Sequence, residues 1–222
     1  MITFIDLYND ITGQAWSMFD GEIEAKDEFE VNVSTSIQKA LSMLWNSYKF
    51  PFRYKTQVLK TRAGKNEYSS PNGVITTKVL KGDKVYCLKY NNTFLTYDTS
   101  CEIEEDKGGE PTSFYIKNDN IVLFPTPDDV YTIKIDYLSF YPACDSEGTE
   151  KATLQEDDDY LNISEKYEML FKNTLMPLAM TYLIASEQDE NYSAYWQQYK
   201  LALANLLEAT QVIDYSKSIG WR

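Results

Sequence analysis

The hydrophobic period of this chain changes twice, and that limits its fold more than any other feature. Phe4, Leu7, Tyr8, Ile11, Ala15 and Met18 recur at three- and four-residue steps. This is the spacing that gives a helix one apolar stripe. Thr3 is placed to cap that helix, with Asp6 three residues on as its capping-box partner, and Asp20-Gly21 to stop it. Ile37, Ala40, Leu41, Leu44, Trp45 and Tyr48 form a second stripe. It predicts a helix that starts near Ser34 or Thr35, with Gln38 in capping-box position, and ends before Pro51. From Phe52 to Pro142 the apolar runs are short, rich in Val, Ile, Thr, Tyr and Phe, and bounded by Gly, Asn and Asp. Helical spacing then returns. A strand period enclosed by helical periods predicts a sheet module inserted into a helical body.

Within the insertion, Val74–Leu80 and Lys84–Tyr90 flank Lys81-Gly82-Asp83 and read as a hairpin. Phe114–Ile116 and Ile121–Phe124 flank Asn118-Asp119 and read as another. Tyr131, Ile133, Ile135 and Tyr137 alternate with Thr132, Lys134 and Asp136, as a half-buried strand requires. Many short strands with frequent turns predict an antiparallel sandwich or small barrel. Residues 143–163 are acidic and irregular and read as a linker. A third helix is expected from Ser164 to about Ser186. It has Glu165 and Glu168 in its first turn, apolar residues around most of its circumference, and Pro177 as an internal kink. A fourth runs from about Asn191 to Ile213. Its narrow stripe of Tyr192, Trp196, Tyr199, Leu203 and Leu206 suits one partner helix, in this chain or in a neighbouring subunit. The fold class is therefore α+β, a bundle of about four helices with an inserted antiparallel β module. The expected parts are 1–51 (N-terminal helices), 52–142 (β module), 143–163 (linker), 164–213 (C-terminal helical pair) and 214–222 (tail).

Composition narrows the function. The 222 residues contain no histidine and three cysteines, none in a CxxC pair. That removes Ser-His-Asp and Cys-His catalysis and His-based zinc sites. No glycine-rich phosphate loop is present. Asp157-Asp158-Asp159 lacks the alternating ligands and turn glycine of a calcium loop, so it reads as a solvated acidic loop. No cofactor and no metal are expected, and the chain is not read as an enzyme. No signal peptide or membrane-length apolar run is found, which predicts a soluble cytoplasmic product. The net charge of −13 disfavours a tight grip on a phosphate backbone. The one locally basic stretch holds Lys49, Arg53, Lys55, Lys60 and Arg62, interleaved with Phe50, Phe52 and Tyr54. It reads first as a strand with a wet cationic face, and otherwise as a partner-binding patch. The 18 tyrosines suit interfaces as well as sheets.

Gly109-Glu110-Pro111-Thr112-Ser113-Phe114-Tyr115-Ile116 is followed by Asn120-Ile121-Val122-Leu123-Phe124-Pro125-Thr126-Pro127-Asp128 and then by the alternating strand ending at Tyr137. This order resembles the signature of phage head–tail adaptor proteins, in which a strand ends in a Pro-x-Pro-Asp turn. Here the turn motif is Pro111, Pro125, Pro127 and Asp128. The Trp45–Arg53 stretch (Trp-x-x-Tyr-x-Phe-Pro-Phe-Arg) is similar too, and the nearest likeness is to ring proteins of crAss-like short-tailed phages. The resemblance implies a structural virion protein at the head–tail junction, assembled in the host cytoplasm. It implies a homo-oligomeric ring, a dodecamer, beneath the portal, with contacts to other tail or ring proteins. DNA would pass through the ring without specific binding, and no membrane is involved. Tyr215, Ile219, Trp221 and Arg222 of the tail would reach the portal. The alternative is a carbohydrate- or protein-binding β-sandwich module of a phage tail, for which Tyr86, Tyr90, Phe94 and Tyr97 would supply exposed aromatics. A carboxylate-based cell-wall hydrolase is a further reading that no residue spacing singles out.

Overall fold

A computed structural model describes residues 1–18, 26–75, 77–80, 83–86, 88–91, 93–98, 108–184 and 190–211. The fold is α+β, and the chain divides into two compact units, 54–140 and the joined segments 1–53 and 141–222.

The unit 54–140 is a β unit. Its strands are β1 (Tyr54–Lys60), β2 (Glu67–Ser69), β3 (Gly73–Ile75), β4 (Thr77–Leu80), β5 (Asp83–Tyr86), β6 (Leu88–Tyr90), β7 (Thr93–Phe94), β8 (Thr96–Tyr97), β9 (Ser113–Lys117), β10 (Asn120–Phe124) and β11 (Thr132–Ser139). β11 is the spine of one sheet. It pairs with β1 from Tyr54↔Leu138 to Lys60↔Thr132 on one edge, and with β6 and β3 on the other. The second sheet runs β2-β10-β9-β8, antiparallel except for β8 beside β9. Ile133 and Ile135 of the first sheet share a core with Phe114, Ile121 and Leu123 of the second. Two sheets over one apolar core make a sandwich. The alternation expected of β11 is present, with Ile133, Ile135 and Tyr137 buried and Thr132 and Lys134 exposed. The β9–β10 turn places Asn118 and Asp119 at φ of 47° and 60°, a left-handed geometry that these two residue types tolerate best after glycine. The hairpin expected from Val74–Leu80 and Lys84–Tyr90 forms only in its middle, as β4 and β5. Its outer ends peel away, with Val74 opposite Leu138 and Leu88 opposite Ile135 on β11. Gly73 lets β3 approach, because a Cβ there would lie 2.2 Å from the Leu138 carbonyl oxygen.

The remaining segments form the helical unit. It holds α1 (Phe4–Met18), α2 (Lys26–Ser47), a 3-10 turn (Pro51–Arg53), β12 (Ala143–Cys144), β13 (Glu150–Lys151), β14 (Tyr160–Leu161), α3 (Glu165–Ile184) and α4 (Glu190–Thr210). The capping box of α1 is present. The Thr3 hydroxyl donates to Asp6 Oδ2 (2.7 Å), the Thr3 N–H donates to the same oxygen (3.1 Å), and the Asp6 N–H donates back to Thr3 Oγ1 (3.3 Å). The Thr3 hydroxyl and then its backbone N–H hold the Asp6 carboxyl below its ordinary pKa.

Two expectations are corrected here. α2 begins at Lys26, well before Ser34, because Phe29 and Val33 extend its stripe and are buried. Thr35 is therefore inside the helix and caps nothing. Gln38 instead uses its amide on the backbone of Leu154, donating to the carbonyl and accepting from the N–H (3.4 Å). The second correction concerns 143–163, which is no irregular linker. It carries the sheet β13-β12-β14 and adds Ala143, Leu154, Leu161 and Ile163 to the helical core. Its acidic residues concealed this, because the contacts that order it are distant in sequence. The Leu161 N–H donates to the Ile2 carbonyl, and the Phe4 N–H to the Asp159 carbonyl (2.7 Å).

α3 is helical through Pro177 and packs against both α2 and α4, which is why it is apolar on several sides. The helical core is aromatic at its centre. Phe50 stacks on Phe52 at 4.9 Å, and Phe171 meets both rings edge-on at 6.1 and 5.7 Å. No helix among the described residues is long and apolar enough to cross a membrane.

Candidate functional site

The prolines of the turn motif come together at one end of the β unit. The Gly109 N–H donates to the Thr126 carbonyl, the Thr112 N–H to the Phe124 carbonyl (both 2.9 Å), and the Gly64 N–H to the Pro127 carbonyl (2.8 Å). These bonds tie three loops, 61–66, 108–112 and 124–131, into a knot. Pro111 and Pro127 are buried in it, Pro125 is half-buried after a cis peptide, and Asp128 is exposed. Tyrosine hydroxyls fasten two of the loops. Tyr68 Oη accepts from the Arg62 N–H (2.9 Å) and donates to the Lys65 carbonyl (2.6 Å). The Tyr131 hydroxyl donates to Asp128 Oδ1. That bond, with some burial and the charges of Asp128, Glu110 and Asp129, pushes the Tyr131 pKa up to about 12. The motif thus fixes backbone loops, and of its four residues only Asp128 offers a fully exposed side chain.

The α4 stripe divides. Tyr199 and Leu206 are buried in the core of their own unit, while Trp196 and Leu203 pack partly against it. Tyr192 is half-buried and stacks on Trp196 at 6.5 Å. The inner part of the stripe is therefore spent on this chain's own helices, and Tyr192 is the stripe residue that lies outside that core. Tyr215, Ile219, Trp221 and Arg222 lie outside the described residues.

The basic stretch also divides. Arg53 is buried and does not face a partner. Its guanidinium donates to the carbonyls of Trp45 and Tyr48 (2.7 Å to the latter) and lies 5.2 Å from the centre of the Trp45 ring. It closes the C-terminal end of α2, where carbonyls lack helical donors. Phe50 and Phe52 are core residues. Lys60 and Arg62 remain exposed. They sit at the end of β1, whose outward face continues onto β11 with Lys134 exposed beside Val58. Sequence reasoning missed this extension, because Lys134 lies far along the chain and only the β1–β11 register brings it alongside.

Of the aromatics offered for a carbohydrate face, the described ones, Tyr90, Phe94 and Tyr97, are each half-buried and form no exposed platform. Tyr90 and Tyr97 pack against the sandwich core, and Phe94 lies beneath the Lys89 ammonium at 4.9 Å. The Tyr86 side chain is outside the described residues. In the acidic run, Asp157 and Asp158 are exposed while Asp159 is buried. Asp159 accepts from Lys151 Nζ (2.6 and 2.7 Å) and from the N–H groups of Gln155 and Glu156. Burial raises its pKa, but these donors outweigh burial and the net is lowered. Among the described residues no three carboxylates or thiols converge as a metal site.

Charge is shared unequally between the units. The helical unit has 10 Lys/Arg and 22 Asp/Glu, a net of −12, and the β unit has 11 and 12, a net of −1. Layout and turn motif describe two packed units with exposed surfaces, and the charge is concentrated in the helical one. Comparison with protein families matches residues 8–220 to the SU10 adaptor protein family. The chain belongs to that family. No curated protein matches it. As an SU10 adaptor the chain is a bacteriophage structural protein, a component of the virion that joins other phage proteins, and the family implies a non-enzymatic role.

Proposed function

We propose that this SU10 adaptor is a ring subunit at the head–tail junction, a dodecamer seated beneath the portal with the ejected DNA passing through its channel. The family match over residues 8–220 carries the reading, since it takes in most of both units. The helical unit supports the channel role. Its net of −12 repels a phosphate backbone, so DNA slides past that wall without being gripped. Tyr192 and Trp196 supply a helix face toward a neighbouring subunit. Tyr215, Ile219, Trp221 and Arg222 supply the contact to the portal, and other tail or ring proteins occupy the opposite side. In this reading its relatives include ring proteins of crAss-like phages.

The test is to mix the purified chain with portal from the same genome and image the product by electron microscopy. A ring capping the narrow end of the portal is expected, and removal of residues 216–222 should abolish it while the subunit stays folded. A folded chain that ignores the portal overturns the reading.

A further inference from the structure

The outward face of the first β sheet is built like an interface. Strand register places Tyr54, Leu138 and Val74 in one line across β1, β11 and β3. Side chains opposite each other on paired strands share a face about 5 Å apart. Tyr54 and Val74 are each 52% exposed, so this is a contiguous apolar row and not a scatter of single residues. Further along the same face, Lys134 lies opposite Val58, and Lys60 lies one alternation beyond it on β1. Both lysines are exposed and have no ion pair among the described residues. The one carboxylate between the two halves is Asp136, which accepts from the Thr56 hydroxyl (2.7 Å) and from Lys89 (3.4 Å). Its charge is therefore answered locally, and the face presents an apolar half and a cationic half.

Such a face fits a protein surface that is acidic and partly apolar. DNA fits it poorly, because two free lysines release few counterions and an apolar row gains nothing against phosphate. The complement is carried by the chain itself, in the helical unit with its net of −12. A patch that matches a different patch on an identical copy makes a head-to-tail contact, which closes into a ring when the rotation allows. We infer that the outward face of the β1–β11–β3 sheet docks against the acidic helical unit of a second copy of this chain. This rests on the adaptor reading above and specifies the contact between subunits.

The experiment uses the full chain assembled with its portal. Wild type is compared with the double variant Lys60→Glu/Lys134→Glu and, separately, with Val74→Asp, each checked for native circular dichroism. Rings made from isotope-labelled and unlabelled copies are treated with a carbodiimide that joins amines to carboxylates directly. Both variants should need at least about tenfold more protein to form rings. Lys60 or Lys134 should be joined to carboxylates of the helical unit of a differently labelled copy. Wild-type yields from both variants, or cross-links confined to one copy, overturn the inference and leave the adaptor reading standing. Variants that assemble normally but lose affinity for duplex DNA also overturn it and assign the face to DNA. If wild type forms no ring, the adaptor reading falls and takes this contact with it.

Discussion

In the helical unit Arg53, Asp159 and Glu168 are all buried, and the first two are held by backbone partners as well as by a ring or a lysine. In the β unit the buried polar residues among those described are Thr61 and Ser139, and the charged side chains of β1 and β11 stay near the surface. The difference follows from what each unit must close. A helix end and an acidic strap leave backbone groups that a buried ion can satisfy. A sandwich satisfies its backbone in the ladder and needs side chains only at its loops. The helical unit should therefore depend on ionisation in acid, and the β unit much less so.

The largest effects come from the two cores. Phe171→Ala should cost about 3–5 kcal/mol and Leu123→Ala about 2–5 kcal/mol. Hydrogen exchange should show the first loosening the helical unit and the second the β unit. Protection lost in both units from either change would mean that they unfold as one. Next, Arg53→Met removes charged hydrogen bonds and a cation–ring contact, and should cost about 3 kcal/mol. Lys134→Met in the exposed sheet face should stay within about 0.5 kcal/mol. Equal shifts in urea midpoint would erase the contrast.

Acid sharpens the comparison further. The folded pKa of Asp159 lies below its ordinary 3.8, so its contribution is present above that value and lost as pH falls through the folded one. Below pH 3.8 helical circular dichroism should fall before the sandwich loses its protected amides. The smallest effect is alkaline. Tyr131 is raised to about 12, so its contribution is present below 10 and disappears as pH rises toward 12. An ultraviolet titration should show Tyr131 ionising late, among a group with Tyr8, Tyr160 and Tyr195, which burial also raises. Tyr131→Phe should remove its part of that late step and lower the unfolding midpoint at neutral pH slightly, through the lost bond to Asp128.

Features that depend on neighbouring residues were legible in the sequence. Thr3 and Asp6 cap α1 from three residues apart, Asn118-Asp119 turns its hairpin, and β11 alternates as written. The strap 143–163 was not legible, because Gln38, Ile2 and Phe4 order it from outside its local pattern. Arg53 reads as a surface cation until the end of α2 is seen beside it. For the candidate surfaces, the α4 stripe was visible as a stripe, but spacing alone does not say which helix it meets. The lysine face required the β1–β11 register, which no local signal contains.

One consequence follows from how the β unit joins its host. It begins with β1 and finishes with β11, and Tyr54 stands opposite Leu138. Entry and exit are thus neighbouring strands about 5 Å apart. To the helical unit, everything between Arg53 and Tyr141 amounts to one tight turn. A short loop could replace the whole sandwich, and a different sandwich could be grafted in its place. The insertion can thus change in size without moving the two chain ends that the body has to join.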